Sequence, residues 1–359
     1  MPIDATASVS GDVHRVLDRR ALRLGVGVTA IFLAAAYFQW TFAYLAPIFL
    51  PLLLQGPRPM RAAEAIGLLV AVLAVMIGTY VLSAMSRQMP LLFALLLLPL
   101  MFAAFRWWFR GAPAMIFLMV LLGLVLTPLT AKASLDAAWG ISMSFVWNIG
   151  ICVAMSYVLF VLFPPLPGEP EAKPATVLPV SEASWRAAAL AVMVGGFTIA
   201  YLAFDWHNVH TPVYIAIYAM TLRSLRTAGI ALGILAANVV GGLTGTVMYE
   251  LTAMVPSFAF LAVLTLPVMV TIARAVVSEA SWAPLASFAM SVVLLILGAA
   301  IGPHDPDSGA EDMAYRLFEL GIAAIYAVAA TFVLEAFRPP LRESSPSLRT
   351  ASTTASRHP

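Results

Sequence analysis

Charge is scarce in this chain: only 11% of its 359 residues are Asp, Glu, Lys or Arg, whereas 62% are hydrophobic. A soluble domain carries about a quarter charged residues and about half apolar ones. With a mean hydropathy of +0.93, this composition excludes an ordinary soluble globule and indicates a polytopic membrane protein. Cysteine is nearly absent. Cys152 is the single one and lies in an apolar run, so a disulfide framework and a thiolate metal cluster are excluded and a small buried filler remains. Catalytic signatures are missing as well. Neither Lys132 nor Lys173 follows a phosphate-binding loop, and no G-x-S-x-G elbow or H-E-x-x-H pair occurs. Asp205, His207 and His210 form a weak metal-like pattern that ordinary loop polarity explains. The chain is therefore read as no enzyme, with no cofactor, no bound metal and no nucleic-acid partner.

What is present is a succession of apolar segments. A membrane-crossing helix needs about 20 apolar residues. Twelve candidates occur, at residues 21–39, 42–54, 64–84, 90–105, 113–131 and 141–163, then 185–204, 211–222, 227–249, 258–272, 283–301 and 316–337. Arg15, Arg19, Arg20 and Arg23 before the first segment imitate a signal peptide, but the same stretch recurs in the second half, so it is read as a retained span.

The halves repeat. Arg20 and Trp40 match Arg186 and Trp206 at an offset of 166, and Gly78-Thr79 matches Gly245-Thr246 at 167. Ala112-Pro113 matches Ala283-Pro284, and Gly150 matches Gly321, both at 171. Placing both termini in the cytoplasm leaves Arg87, Lys132 and Arg316 outside, so 17 of the 20 basic residues lie inside, as the positive-inside rule requires. The expected fold is thus an all-α polytopic membrane protein of about 12 transmembrane helices, in two parallel six-helix repeats, N-in/C-in. Its parts are a cytoplasmic segment (1–19), the first repeat (20–165), a proline-rich, semi-stiff linker (166–184), the second repeat (185–340) and a disordered tail (341–359).

The second and eighth spans are short and interrupted by proline, at Pro47 and Pro51 and at Pro212. Such pairs, at matching places in two halves, point to a transporter's binding site. Each is followed by a basic doublet, Arg58 and Arg61 or Arg223 and Arg226, which reads either as a topological anchor or as a cationic vestibule gathering anions. Polar groups at membrane depth complete the candidate pathway: Asn148, Asn238 and, as a proton-handling carboxylate, Glu319 in the first turn of the last span, paired with Arg316 one turn earlier. A surface ion pair is the other reading of those last two. Small residues recur every fourth position, at Gly229, Gly233, Ala237, Gly241 and Gly245 and at Gly67, Ala71, Ala74 and Gly78. They predict close helix packing, either structural or directly against the short spans.

The loop 55–61 lacks the G-x-x-x-D-R-x-G-R-R-like run of major-facilitator transporters. The pattern instead resembles the fusaric-acid-resistance superfamily, which contains bacterial aromatic-acid exporters. The resemblance rests on an Arg-led first span closed by Trp, a short second span, then an Arg opening a Gly-rich third span (Arg61, Gly67, Gly78-Thr79; Arg226, Gly233, Gly245-Thr246), with Arg316, Glu319 and Gly321 in the last. It implies efflux of small aromatic or other organic anions across the bacterial inner membrane. It also implies a periplasmic membrane-fusion adaptor, an outer-membrane channel and a homodimer. Larger relatives carry a cytosolic domain after each half; here only the linker and the tail stand in those places. An anion channel of similar fold and a non-transporting membrane scaffold remain as alternatives.

Overall fold

The computed structural model describes residues 5–39, 45–54, 56–170, 177–204, 206, 210–221, 228–278, 280, 282–301 and 309–337. Twelve α-helices appear there: α1 (Ala5–Phe38), α2 (Ala46–Leu53), α3 (Ala62–Gln88), α4 (Pro90–Phe109), α5 (Ala114–Ala133), α6 (Leu135–Leu162), α7 (Val180–Ala203), α8 (His210–Thr221), α9 (Ala228–Met254), α10 (Phe258–Val277), α11 (Ala283–Ile301) and α12 (Gly309–Ala336). Among the described residues, seven helices are long and apolar enough to cross a membrane, and strands are absent. Large apolar side chains such as Leu91, Leu95 and Val263 lie on the outer surface, as expected where hydrocarbon rather than water is the solvent. The protein is a multi-pass, all-helical membrane protein.

Several helices start earlier than the sequence expectation, α6 at Leu135 and α7 at Val180 within the expected linker, and two starts differ most. α1 begins at Ala5, so the polar segment ahead of the first span continues the same helix. α12 begins at Gly309, seven residues before the expected start of the last span. Glu319 is therefore not in a first turn but ten residues in, about 15 Å along the axis at 1.5 Å per residue.

The packing pairs the two sets of six. Along α4 the buried positions include Phe93, Leu97, Met101 and Phe105. Along α10 they are Leu261, Thr265, Met269 and Ala273. Both are i,i+4 stripes, one apolar ridge per helix. The α4 stripe packs on α7 and the α10 stripe on α1. Glycine permits each close approach: a Cβ at Gly195 of α7 would meet Leu98 of α4, and one at Gly25 of α1 would lie 2.7 Å from the Val270 backbone of α10. Within each set, α2 packs on α6 and α8 on α12, while α3 packs on α5 and α9 on α11. Both α4 and α10 contain an internal proline, Pro99 and Pro267.

The centre holds α2, α5, α8 and α11. Helix α5 is buried along most of its length; it touches α8 of the other set, and α2 touches α11. The connection after α6 is not a free tether. Leu166-Pro167-Gly168-Glu169 forms a turn closed by Glu169 N–H donating to Leu166 O, with Gly168 at φ +86°, the conformation that favours glycine after proline in a type II turn. The turn directs the Glu169 carboxylate onto Arg20 and Arg23 of α1. Farther on, Leu178 N–H donates to Phe109 O at the end of α4.

Candidate functional site

Helix α2 has 8 residues and α8 has 12, giving lengths of about 12 and 18 Å against a hydrocarbon core near 30 Å. Pro47 starts α2, where its missing N–H costs nothing, and Pro51 lies within it. Pro212 opens α8 in the same way and is buried. Both short helices are enclosed by their neighbours rather than exposed. Ala46, Pro47, Phe49 and Leu50 are buried on α2, and Tyr214, Ile215, Tyr218 and Ala219 on α8.

Side chains fasten these short helices. Cys152 of α6 places its thiol 3.1 Å from the Ala46 carbonyl at the start of α2. Tyr157, lower on α6, donates its hydroxyl to Met60 O at 2.7 Å, holding the loop after α2. The corresponding tie of α8 is different in kind: Tyr218 donates to Asn238 Oδ1 of α9 at 2.8 Å. Asn238 is thus occupied in orienting α8.

Asn148 is fully buried, one turn before Cys152 on α6, and its amide donates to Ser144 O at 2.8 Å. Glu319 is 4% exposed on α12. Glu319 follows Asn148 by 171 residues, the same spacing as that from Gly150 to Gly321. Buried polar groups at this depth are costly and mark pathways by default.

The doublets are placed unequally. Arg58 and Arg61 are exposed, Arg61 sitting at the N-terminal boundary of α3, where its backbone N–H donates to Glu64 Oε2 at 2.9 Å. Arg223 and Arg226 lie outside the described residues, as do Asp205 and His207, and so does the tail expected to be disordered. The side chain of Arg316, and with it the expected pair with Glu319, is also outside them. Among the described residues no group of three metal-ligating side chains occurs.

The small-residue stripe of α9 faces α11 and not the short helices. A Cβ at Gly233 would meet Leu285, one at Gly241 would lie 2.7 Å from Ala289 O, and one at Gly245 would touch Ile296. The α3 stripe does the reverse: nothing lies within 4 Å of a Cβ at Gly67 or Gly78.

One charged site escaped the sequence. Arg23 is 1% exposed, within the first candidate span. Its guanidinium sits 4.3 Å over the Phe160 ring of α6 and pairs with Glu169, which Arg20 Nε also approaches at 3.4 Å. The available signal was the Pro-Gly turn before Glu169, a geometry that returns the chain upon itself.

A family described as a protein of unknown function (DUF2955) matches residues 20–159, a stretch running from within α1 to within α6. No curated protein and no solved structure matches significantly.

Proposed function

We propose that the chain is a bacterial inner-membrane exporter of small aromatic or other organic anions, built from two parallel six-helix repeats with both ends in the cytoplasm. The observation that carries this reading is the pair of proline-bearing helices α2 and α8, too short to span and buried at the centre of the bundle. A helix ending inside a membrane leaves unpaired N–H groups and a positive dipole end where an anion can be held. The exchange of partners, α1 with α10 and α4 with α7, supports the two-repeat arrangement. The correspondence of Asn148 with Glu319 adds to it.

On this reading, substrate moves along α2, α5, α8 and α11. Arg58, Arg61, Arg223 and Arg226 gather anions at the inner mouth through their field. Glu319, the carboxylate that replaces Asn148 in the second repeat, exchanges the coupling proton. The protein performs transport and no catalysis. The resemblance to the fusaric-acid-resistance superfamily supports a periplasmic adaptor and an outer-membrane channel as partners and a homodimer as the working form.

Purified protein in liposomes tests this directly. Labelled aromatic acid should move uphill when a proton gradient is imposed, and Glu319→Gln should abolish the dependence on the gradient. Flux that proceeds downhill at high rate without a gradient identifies an anion channel, and absence of any flux identifies a scaffold. In cells sensitive to aromatic acids, Arg58→Ala combined with Arg223→Ala should lower resistance at equal protein abundance. Unchanged resistance removes the doublets from the pathway.

A further inference from the structure

A cavity of about 410 Å³ opens at the end of the bundle where α3, α5 and α7 finish and α4 begins. Arg87 from the last turn of α3 and Lys132 from the last turn of α5 line it, with Pro90, Leu91 and Phe93 of α4 and Ile199 and Leu202 of α7 among the remaining walls. These are two of the three basic residues that the charge distribution assigns to this side of the membrane. Their meeting in one cavity is not a consequence of topology, which disfavours cations here.

The sign of the site follows from the helix ends. The three C-termini bring about half a negative charge each, and Lys132 Nζ donates to Leu202 O at 3.0 Å, answering the end of α7. Against them stand two full cations and about half a positive charge from the N-terminus of α4. That N-terminus has Pro90 in its first turn and no side-chain cap, so its first N–H groups face the end of the helix without intrahelical partners. The two side-chain cations thus outweigh the helix-end charges on this wall. Asp136 opens the neighbouring α6 but does not line the cavity.

The rest of the wall is apolar and reaches the bilayer. Leu91 is 86% exposed and Leu95, one turn along, 70%, so the cavity adjoins a helix face that hydrocarbon covers. Where α1 ends and α10 begins, the corresponding place in the other set, Tyr37 packs on Phe258 with ring centroids 5.7 Å apart, and Met254 stands where Arg87 does at the offset of 167. Cations and open volume thus go together where α4 meets α7.

We infer that this cavity is a binding site for an anionic phospholipid of the adjoining leaflet. Its phosphate lies between Arg87, Lys132 and the start of α4, and its acyl chains run down α4 over Leu91 and Leu95. Basic pockets between membrane helices hold lipid headgroups by this chemistry.

The test uses the full chain, delipidated in neutral detergent, and native mass spectrometry with phosphatidylglycerol and phosphatidylcholine of identical chains. The wild type should retain phosphatidylglycerol preferentially, by roughly five-fold for each cation engaged. Arg87→Gln with Lys132→Gln should erase the preference while leaving the thermal unfolding transition in place. Ile199→Trp, which fills the cavity and keeps both cations, should erase retention as well. Equal retention of the two lipids by the wild type, or a preference that survives both variants, overturns the proposal. So does displacement of phosphatidylglycerol by millimolar benzoate, which would assign the site to free organic acids.

Discussion

Helices α3 and α9 carry the same small-residue signature at corresponding positions and use it in opposite ways. On α9 the stripe is filled: Gly233, Gly241 and Gly245 let α11 approach until backbone meets side chain. On α3 the stripe is turned outward, and contact with α5 is made by another face, where Thr79 fits against Gly123. A stripe of small residues specifies that a helix can be approached closely, not that it is. The starts of α1 and α7 show the same divergence. Arg186 pairs with Glu182 of its own helix at 2.8 Å, an i,i+4 contact, whereas Arg20 and Arg23 are met by Glu169 from the connection beyond α6. The first contact lies within one helix, and the second closes the first six helices on themselves.

The largest effect expected from breaking this comparison is at Glu169. Glu169→Ala leaves Arg23 buried without its carboxylate, at a cost of about 3–5 kcal/mol, and frees the connection after α6 from α1. Thermal unfolding in detergent should fall and protease cleavage within residues 163–179 should rise. Glu182→Ala should cost about 1–3 kcal/mol without exposing that connection. Equal cleavage in the two variants would show that Glu169 does not anchor it.

The glycines come next. Gly241→Ala sets a Cβ against Ala289 O and Val292, a strain of about 1–3 kcal/mol. Gly78→Ala meets nothing and should stabilise α3 by up to about 1 kcal/mol through helix propensity. The two unfolding midpoints should move in opposite directions; movement in the same direction would mean that the α3 stripe is covered in the assembled protein. The smallest effect is at the polar tie of α8. Tyr218→Phe removes its bond to Asn238 and should cost about 0.6 kcal/mol, at most about 1.7. Leu53 and Val72, which stand in the matching places of the first six helices, offer no such bond. Anchoring α8 rather than lining a pathway predicts that the loss appears in stability and not in flux, read from unfolding and liposome transport on the same preparation.

Much of the bundle was legible before folding. Runs of apolar residues located the helices, and Pro47, Pro51 and Pro212 marked α2 and α8 as short. Helix ends were less legible, because polar residues can continue a helix beyond its apolar run: α12 starts at Gly309, which changes the place of Glu319 along it. The buried polar residues were found singly, yet their relations were not. Asn238 looked like a free amide at membrane depth and is held by Tyr218. Arg20 and Arg23 looked like simple cytoplasmic charges and are joined to a residue 146 positions beyond Arg23.

By itself the sequence determined the solvent and the secondary structure. Hydropathy sums over neighbouring residues, and helix breakers act within a turn, so both are complete in any short window of the chain. Only the tertiary structure decided which face of α3 or α9 is covered, where the Glu169 carboxylate finds its cations, and that Arg87 and Lys132 share a cavity. Each of those depends on which distant helix arrives at a given surface, and apolar periodicity is the same whether lipid or protein covers it.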